Sequence, residues 1–456
     1  MLWLELLQLK SKDAETRLQA VQRLARAKGA SVFRALGEAA QDSEAAVRCA
    51  ALAAVAKRDE EGGTDVLLEA LQDAFPEVRQ VAVDGLKDKT EDRVRLRLVD
   101  ALQDPDPGVR GRAGRVLTHQ QWRPPGPKQE LWFAVARGQL DQAAAFGAQA
   151  IEPLELVLNG GPFNLQVSAV RALGKIADER VLKSLIPSLE STDNSVCVAA
   201  IEALANFGGP KATAALTPML KHTDHRVRVA GIEALGQLEA QNITSALVEL
   251  VADPMWDVRR AAADALGKIH DPEAVEGLAR ALQDADNDVR EAAVTSLARL
   301  RDPRAIGPLV IALADVEPGV RRAALSALPL INPDWAKTEA ARAVAPELRR
   351  LWEGGEAAVR YAAVNALGQM GESPTKISSF DTGTVITAAA QKQNRVLTVF
   401  TELLRDADGD LRLAAAGVLG RLGDKRAVEA LRPVLTDADD TVRRATVQAL
   451  LALGAE

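Results

Sequence analysis

Apolar residues recur along the chain with a helical spacing around a repeated arginine. Around Arg259, apolar residues stand one position before the arginine and three, six, seven and ten positions after it. Because an α-helix turns once in about 3.6 residues, these positions lie on one face of a helix. The pattern therefore predicts an amphipathic helix that buries one stripe and exposes the rest.

A shorter apolar run precedes each of these helices. Ala274 to Leu282 predicts a first helix, and Asp284 to Asp288 predicts the turn that leads to the next one. An aspartate beside the start of a helix can accept a hydrogen bond from a free backbone N–H. The predicted caps of second helices are Asp13, Asp106, Asp193, Asp224, Asp286, Asp408 and Asp439.

The arginine returns at intervals of 31 residues, and 11 of 13 recognisable repeats carry it. Gln166 and Cys197 occupy the same position in the other two. Such a period is typical of stacked structural repeats. It predicts an all-α fold, an α-solenoid (a right-handed superhelix) of about 13–14 two-helix repeats. The arginines are Arg17, Arg48, Arg79, Arg110, Arg228, Arg259, Arg290, Arg321, Arg360, Arg412 and Arg443.

The sequence from Asp284 to Leu309, DADNDVREAAVTSLARLRDPRAIGPL, resembles the short HEAT repeats first associated with phycobilin lyases. It also resembles artificial HEAT-like libraries built on a 31-residue unit. The resemblance covers nearly the whole chain and implies a HEAT-type solenoid. It implies no single function, because lyases, hydroxylases and plain scaffolds share this repeat.

Eight repeats place an aspartate six residues before the arginine position, and this charge pair has two interpretations. It could form a ladder for a ligand, or it could join neighbouring repeats by hydrogen bonds between helix ends. We predict the structural role, because one pair per repeat at a fixed place in the turn is what such bonding requires. The aspartates are Asp42, Asp73, Asp104, Asp253, Asp284, Asp315, Asp406 and Asp437.

The repeat is interrupted between Arg110 and Gln166, where residues 121–127 read QWRPPGP. Proline blocks helix continuation, so this segment predicts a boundary. We predict an N-terminal array of four repeats (1–117), a proline-containing junction with divergent helices (118–158) and a C-terminal array of nine repeats (159–456). The predicted junction helices are Lys128 to Arg137, Leu140 to Phe146 and Ala148 to Leu158, with Trp122, Trp132 and Phe133 expected in its core.

A second interruption spans residues 372–393, which are rich in Ser, Thr and Gly. Loops on rigid scaffolds often carry binding residues. The insert is consistent with either a recognition loop or a tolerated mobile segment, and the sequence leaves both open.

Composition and charge restrict the function classes. Lys and Arg total 56 against 63 Asp and Glu, so the net charge of −7 gives no general attraction for nucleic acid. Cys49 and Cys197 are far apart in sequence and predict neither a disulfide framework nor a thiolate metal site. The N-terminus does not resemble a secretion signal, and no apolar run reaches membrane-spanning length. We expect a cytoplasmic protein without membrane contact.

Catalytic and metal-binding patterns are not found. The sequence has no phosphate-loop, dinucleotide, zincin or serine-hydrolase motif. Diiron hydroxylases that resemble this repeat use His–Glu pairs, whereas the histidines here precede Gln120, Thr223, Arg226 and Asp271. His222 and His225 share a turn but have no third convergent ligand. We therefore predict no catalytic residue, no metal and no cofactor.

Two groups of residues are candidates for partner binding. One comprises large side chains three or four positions before the arginine position, or just after it, where the repeat itself would bury them poorly. The other is a local concentration of positive charge in the fourth repeat, which could take an acidic partner or remain a solvated face. The first group is Phe75, Phe163, Met255, Trp256 and Tyr361; the second is Arg93, Arg95, Arg97, Arg110, Arg112 and Arg115.

These features favour a non-enzymatic scaffold that binds a partner protein or an extended peptide on a concave face lined by second helices. An enzyme with a site dispersed over several repeats, similar to the phycobilin lyases, is the alternative. Nucleic-acid binding through the fourth-repeat arginines is a second alternative, which the net charge of −7 disfavours. Leu450 to Gly454 has little polar cover, so self-association through the C-terminal end is also possible.

Overall fold

The computed structural model describes residues 2–58, 60–372, 388–407 and 409–455. Helices and short turns make up these residues, and no strand occurs among them. The prediction of an all-α solenoid is confirmed. Residues 373–387, which form most of the predicted insert, lie outside the described residues, as does the predicted cap Asp408.

The chain divides into two compact units, Met1–Ala215 and Leu216–Glu456. The boundary falls inside the helix Gly209–Leu216. The helices of the first unit are α1 (Leu2–Gln8), α2 (Ala14–Leu24), α3 (Ala30–Ala39), α4 (Ala45–Ala56), α5 (Gly63–Ala70), α6 (Pro76–Gly85), α7 (Asp92–Asp100), α8 (Pro107–His119), α9 (Pro127–Ala136), α10 (Leu140–Ala144), α11 (Ile151–Gly160), α12 (Phe163–Leu173), α13 (Leu182–Ser188), α14 (Asn194–Phe207) and α15 (Gly209–Leu216).

The second unit continues the same alternation of first and second helices. Its helices are α16 (His225–Gln237), α17 (Thr244–Leu250), α18 (Trp256–Ile269), α19 (Ala274–Ala281), α20 (Asn287–Leu300), α21 (Ile306–Ala312), α22 (Pro318–Ile331), α23 (Glu339–Ala343), α24 (Ala345–Gly354), α25 (Ala357–Gln369), α26 (Ala388–Leu403), α27 (Gly409–Leu422), α28 (Val428–Leu431) and α29 (Asp440–Ala452). Short 3-10 turns lie at Ala101–Gln103, Gly147–Ala150, Glu179–Val181, Thr217–Lys221, Gln241–Ile243, Pro303–Ala305, Trp335–Lys337, Lys425–Ala427 and Arg432–Thr436.

The register of the repeat is the same throughout the described residues. In all 13 pairs, the second helix begins three residues before the arginine position. Where an aspartate precedes that first residue, its carboxylate accepts a backbone N–H and caps the helix. These caps are Asp13, Asp106, Asp193, Asp224, Asp286 and Asp439.

Small residues allow the second helices to pack closely against each other. In five repeats a glycine stands eight positions after the arginine position, opposite the next second helix. A Cβ added at any of these glycines would come within 3.0 Å of that helix. The periodic stripe therefore holds Leu and Val in the core and glycine where backbones approach. The facing pairs are Gly174–Ala203, Gly236–Ala265, Gly267–Ser296, Gly368–Val418 and Gly420–Ala449.

The proline-containing segment leads into the short helices α9 and α10. Trp132 is buried in the apolar core that runs through the first four repeats. The rings of Trp122 and Phe133 meet edge to face with centroids 5.4 Å apart and pack against the same core. These contacts provide a packing role for all three aromatic residues, while the division into arrays at 118–158 stays a prediction.

None of the helices in the described part of the chain is both long enough and apolar enough to span a bilayer.

Candidate functional site

The arginines and the first-to-second-helix turns form one edge of each unit, which we call the arginine edge. At this edge the Nε and NH2 groups of an arginine donate to both carboxylate oxygens of an aspartate 25 residues later, in the next repeat. The donor–acceptor distances are 2.5–3.0 Å. The pairs are Arg17–Asp42, Arg48–Asp73, Arg79–Asp104, Arg228–Asp253, Arg259–Asp284, Arg290–Asp315 and Arg412–Asp437.

The third nitrogen of each guanidinium binds within its own repeat. Arg290 NH1, for example, donates to the carbonyl oxygens of Asp284 and Ala285 at 2.9 and 3.3 Å. The aspartate six residues before an arginine thus offers that arginine its backbone oxygen, while its carboxylate serves the preceding repeat. Each arginine therefore joins two consecutive turns.

Burial strengthens these pairs. The seven arginine side chains are 9–17% exposed. The Arg412 guanidinium lowers the pKa of Asp437 to about 2, and hydrogen bonding from Arg17 lowers the pKa of Asp42. The hydrogen bonds that the Arg290 side chain donates to Asp315 raise the pKa of Arg290. Both partners are consequently held in their charged forms.

Three arginines at the ends of these runs, Arg110, Arg321 and Arg443, bind no aspartate of a following repeat within the described part of the chain. Arg110 is 2% exposed and donates to the carbonyls of Asp104 and Pro105, and its burial lowers its pKa. Arg321 donates to two carbonyls of its own turn. Arg443 adds a local pair with Asp440. The series of arginine–aspartate pairs is therefore interrupted after Arg110 and after Arg321.

Four of the five candidate partner-binding side chains lie on the arginine edge and are exposed. Phe75, Phe163, Met255 and Trp256 are 38–52% exposed, and each is the first residue of a second helix or the residue just before it. Tyr361 differs, because it is partly buried against the core of the last repeats. These four exposed apolar side chains belong to three repeats, and Met255 and Trp256 are adjacent in one of them.

Two of these rings are held by arginines. The Arg48 guanidinium carbon lies 5.3 Å from the centroid of the Phe75 ring, and that of Arg260 lies 6.0 Å from the Trp256 ring. Such cation–π contacts restrict the ring without covering its other face. The rings are therefore exposed and partly ordered.

The six arginines of the fourth repeat are in different environments. Arg93 pairs with Asp65 and Glu91, and Arg112 pairs with Asp84. The side chains of Arg95 and Arg97 lie 3.7 Å from Asp92 and Asp100, respectively. Arg110 is buried, as described above, whereas Arg115 is exposed. Since carboxylates lie beside four of the six, the predicted basic patch gains no support as a nucleic-acid surface and stays a prediction.

An apolar groove of about 500 Å³ lies on the arginine edge of the second unit. It lies between the turns of the repeats α19–α20 and α21–α22 and the pair α24–α25. Its walls include Leu282, Ile311, Val316, Leu351 and Val359, with Glu276 and Arg280 also among its lining residues.

Two further depressions are more polar. One, of about 480 Å³, lies between α16 and α18 and is lined by Glu233, Asp264 and Lys268. The other, of about 400 Å³, lies where Gln166 and Ser191 replace an arginine and its aspartate.

The two neighbouring histidines bind separate partners. His225 Nδ1 lies 2.7 Å from an oxygen of Asp257, and His222 Nδ1 accepts the backbone N–H of Asp224. Across the described ranges, no three His, Cys, Asp or Glu side chains are grouped as a metal site would require.

Sequence reasoning missed two structural side chains at the position ten after the arginine, where an apolar residue was expected. Arg58 NH2 donates to the carbonyls of Leu24, Ala25 and Ala27. Gln120 Nε2 binds three equivalent carbonyls after α6. Both satisfy carbonyls at the end of the preceding second helix. Their polar character at an apolar position was the available signal.

Comparisons with known proteins concern the repeat and the fold. The family profile of HEAT repeats matches residues 3–87, 64–129, 151–236, 244–329 and 383–456. None of the curated proteins matches the chain. A crystal structure of Kap121p is 14% identical with a TM-score of 0.37, covering 95% of this chain and 55% of that chain. This chain thus spans little more than half the length of Kap121p.

Human deoxyhypusine hydroxylase in complex with glycerol is 22% identical with a TM-score of 0.25, covering 64% of this chain and 99% of that one. The profile matches extend over more than half of the sequence and agree with the helix pairs of the structure. The chain belongs to the HEAT-repeat family.

Proposed function

We propose that this protein is a non-enzymatic scaffold that binds a partner protein or an extended peptide through exposed side chains of its repeats. The observation that supports this best is the set of exposed apolar side chains that each unit carries at or just before the starts of second helices. Met255 and Trp256 are adjacent and form its strongest element. The proposal includes a cytoplasmic location.

Trp256 has the properties of a binding anchor. It is 45% exposed, and the guanidinium of Arg260 lies over its ring. A restrained aromatic side chain loses little conformational freedom when a partner covers it. Tryptophan and arginine are also enriched among the residues that dominate protein interfaces. A partner is expected to cover the open face of the Trp256 ring.

The test compares proteins captured from native lysate by the wild type and by Trp256→Ala, with detection by mass spectrometry. We expect a specific protein to be retained by the wild type and reduced at least roughly tenfold with the variant, as for loss of an interface anchor. Leu96→Ala is the matched control, because Leu96 is an exposed apolar residue on a first helix. It should capture the same protein as the wild type.

The phycobilin-lyase-like resemblance of the repeat remains a prediction of the sequence. Absorbance of the purified protein tests it in the same experiment. A sample that carries a pigment or metal and captures no protein would contradict the scaffold proposal and favour a dispersed enzymatic site. Equal capture by the wild type and Trp256→Ala would remove the arginine edge from the proposal.

A further inference from the structure

Arg321 differs from the seven paired arginines in what its guanidinium binds. Its NH1 donates to the carbonyls of Asp315 and Val316 at 2.6 and 2.9 Å, as the other arginines do in their own turns. Within the described residues, its Nε and NH2 have no carboxylate partner. Arg321 is also partly exposed, in contrast to the buried Arg110. The Nε and NH2 groups, which bind an aspartate in seven other repeats, are therefore available to a partner at Arg321.

The sequence register explains the missing partner. Gly354 stands six residues before Arg360, the position at which eight other repeats carry aspartate. A Cβ added to Gly354 would meet no atom within 4 Å. The first helix α24 also extends to Gly354, whereas α19 ends three residues before Asp284. The turn that follows Arg321 thus lacks the aspartate of the other repeats, and neither Glu353 nor Glu356 of this turn forms an ion pair with Arg321 among the described residues.

The apolar groove lies next to the turn that holds Arg321. Asp315 and Val316, whose carbonyls hold Arg321, both line the groove, and so do Leu351 and Val359 on either side of Gly354. Val316 is 57% exposed. The carboxylate of Asp315 is already bound to Arg290, so it does not neutralise Arg321 by direct pairing. The Arg321 guanidinium, which can donate two parallel hydrogen bonds, therefore lies beside the aliphatic surface of the groove.

We propose that this site binds an extended segment of a partner protein in which an aspartate or glutamate stands beside an aliphatic residue. The carboxylate accepts from Arg321 Nε and NH2, and the aliphatic side chain enters the groove at Val316, Leu351 and Val359. The inference rests on the proposed scaffold function and specifies the chemistry of its partner. It identifies a second contact, separate from Trp256.

The chain itself shows that the geometry favours a carboxylate. Seven arginines in the same register each bind an aspartate through the same two nitrogens. Two of these aspartates directly follow aliphatic runs: Asp253 follows Leu250 to Ala252, and Asp315 follows Ile311 to Ala314. A guanidinium edge matches a carboxylate with two parallel hydrogen bonds. A partner segment with this composition would reproduce a contact that the fold already makes.

The probe is a heptapeptide that copies residues 310–316, acetylated, amidated and attached to a sensor surface through an ethylene glycol linker. Its aspartate is then its only carboxylate. The full chain flows over this peptide and over a matched peptide with asparagine in place of aspartate. We expect the aspartate peptide to bind roughly tenfold more tightly, as for a charge-assisted hydrogen-bonded pair. Equal binding of the two peptides would overturn the proposal.

Variants locate the binding on the protein. Val316→Glu introduces a negative charge beside Arg321 and should abolish the preference for aspartate. Val316→Lys, at the same exposed position, should keep it. Arg321→Lys should also lose it, because an ammonium group cannot replace the bidentate edge. Circular dichroism checks that each variant is folded, and equal preferences in Val316→Glu and Val316→Lys would contradict the assignment.

The outcomes separate this inference from the scaffold proposal. A captured protein that depends on Trp256 but binds Val316→Glu normally would support the scaffold and overturn the Arg321 site. A charge-dependent peptide signal without any captured protein would support the chemistry of the site and leave the scaffold unsupported. A dimer that Val316→Glu converts to monomer would identify a second copy as the occupant and overturn the proposal of a separate partner.

Discussion

At the scale of residues, the fold depends on the repeated arginine, whose side chain binds both its own turn and the turn of the next repeat. An arginine has a planar group with five N–H donors, so it can bind two backbone carbonyls and a carboxylate at once. Lysine has a single ammonium centre and cannot do this with the same geometry. The 31-residue period brings each arginine beside the turn that supplies its aspartate. The repeated arginine is therefore explained by hydrogen bonding between repeats.

Replacing Arg290 with lysine should destabilise the second unit by about 1–3 kcal/mol, because Asp315 would lose its bidentate partner while remaining mostly buried. The midpoint of urea unfolding, followed by circular dichroism, measures the change. Arg350→Lys is the control, since Arg350 and Glu347 form an exposed pair within one helix. Its effect should stay below about 1 kcal/mol, and equal effects of the two variants would contradict the structural role of Arg290.

Acid should weaken the same edge. The pKa of Asp437 is lowered from 3.8 to about 2 by its hydrogen bond with Arg412. A lowered folded-state pKa means that the stabilisation is complete above about pH 4 and is lost as the pH falls through about 2. The urea midpoints of the wild type and Asp437→Asn should therefore differ at pH 6 and approach each other near pH 2. A difference that does not change with pH would rule out this linkage.

At the scale of elements, stacking depends on how closely second helices approach. Gly267 of α18 faces Ser296 of α20, and a Cβ on Gly267 would lie only 2.8 Å from the Ser296 Cα. The clash is with backbone, so a change of side-chain rotamer cannot relieve it. A helical glycine would ordinarily be replaced by alanine with a gain in stability. The packing reverses that expectation at this position.

Gly267→Ala should lower the urea midpoint, with a loss of about 1–3 kcal/mol from overpacking. Gly417→Ala in α27 is the matched control, because its added Cβ would meet only the end of the Arg421 side chain, at 3.6 Å. That variant should be stabilised by about 0.5–1 kcal/mol. The close helix approach would be disproved if both variants gained stability.

At the scale of the whole molecule, each repeat buries its apolar residues against its neighbours, so the chain has no single central core. Such arrays need not unfold in one step, and midpoints are therefore the appropriate measure of stability. The same architecture leaves outward faces on some helices. Val447 and Leu451 are exposed on successive turns of α29.

Self-association through α29 remains a prediction and can be tested by sedimentation velocity. We expect the wild type to show mass that rises with concentration, and Leu451→Glu to reduce it because a charge would have to be desolvated at the contact. Leu96→Glu is the control, since Leu96 and Leu451 are both 64% exposed. If the two variants behave alike, α29 is not the contact.

Much of the candidate site could be anticipated from its place in the repeat. The turn positions of Phe75, Phe163, Met255 and Trp256 predicted exposure, and the structure exposes them because the residues lie at helix starts, outside the buried stripe. Tyr361 follows the arginine position by one residue and packs against the core of the last repeats. Neighbouring repeats supply that cover, which spacing within one repeat does not specify.

The helix pairs and the register of 13 repeats could be read from the amino-acid sequence, because a helical stripe and a fixed period are local properties of the chain. Tertiary structure decided which aspartate each arginine binds, since that partner stands in the next repeat, 25 residues later. Tertiary structure also determines that the side chain of Arg110 is buried, whereas that of Arg321 is partly exposed to solvent. Both end a regular run, and only the packing of the following helices distinguishes them.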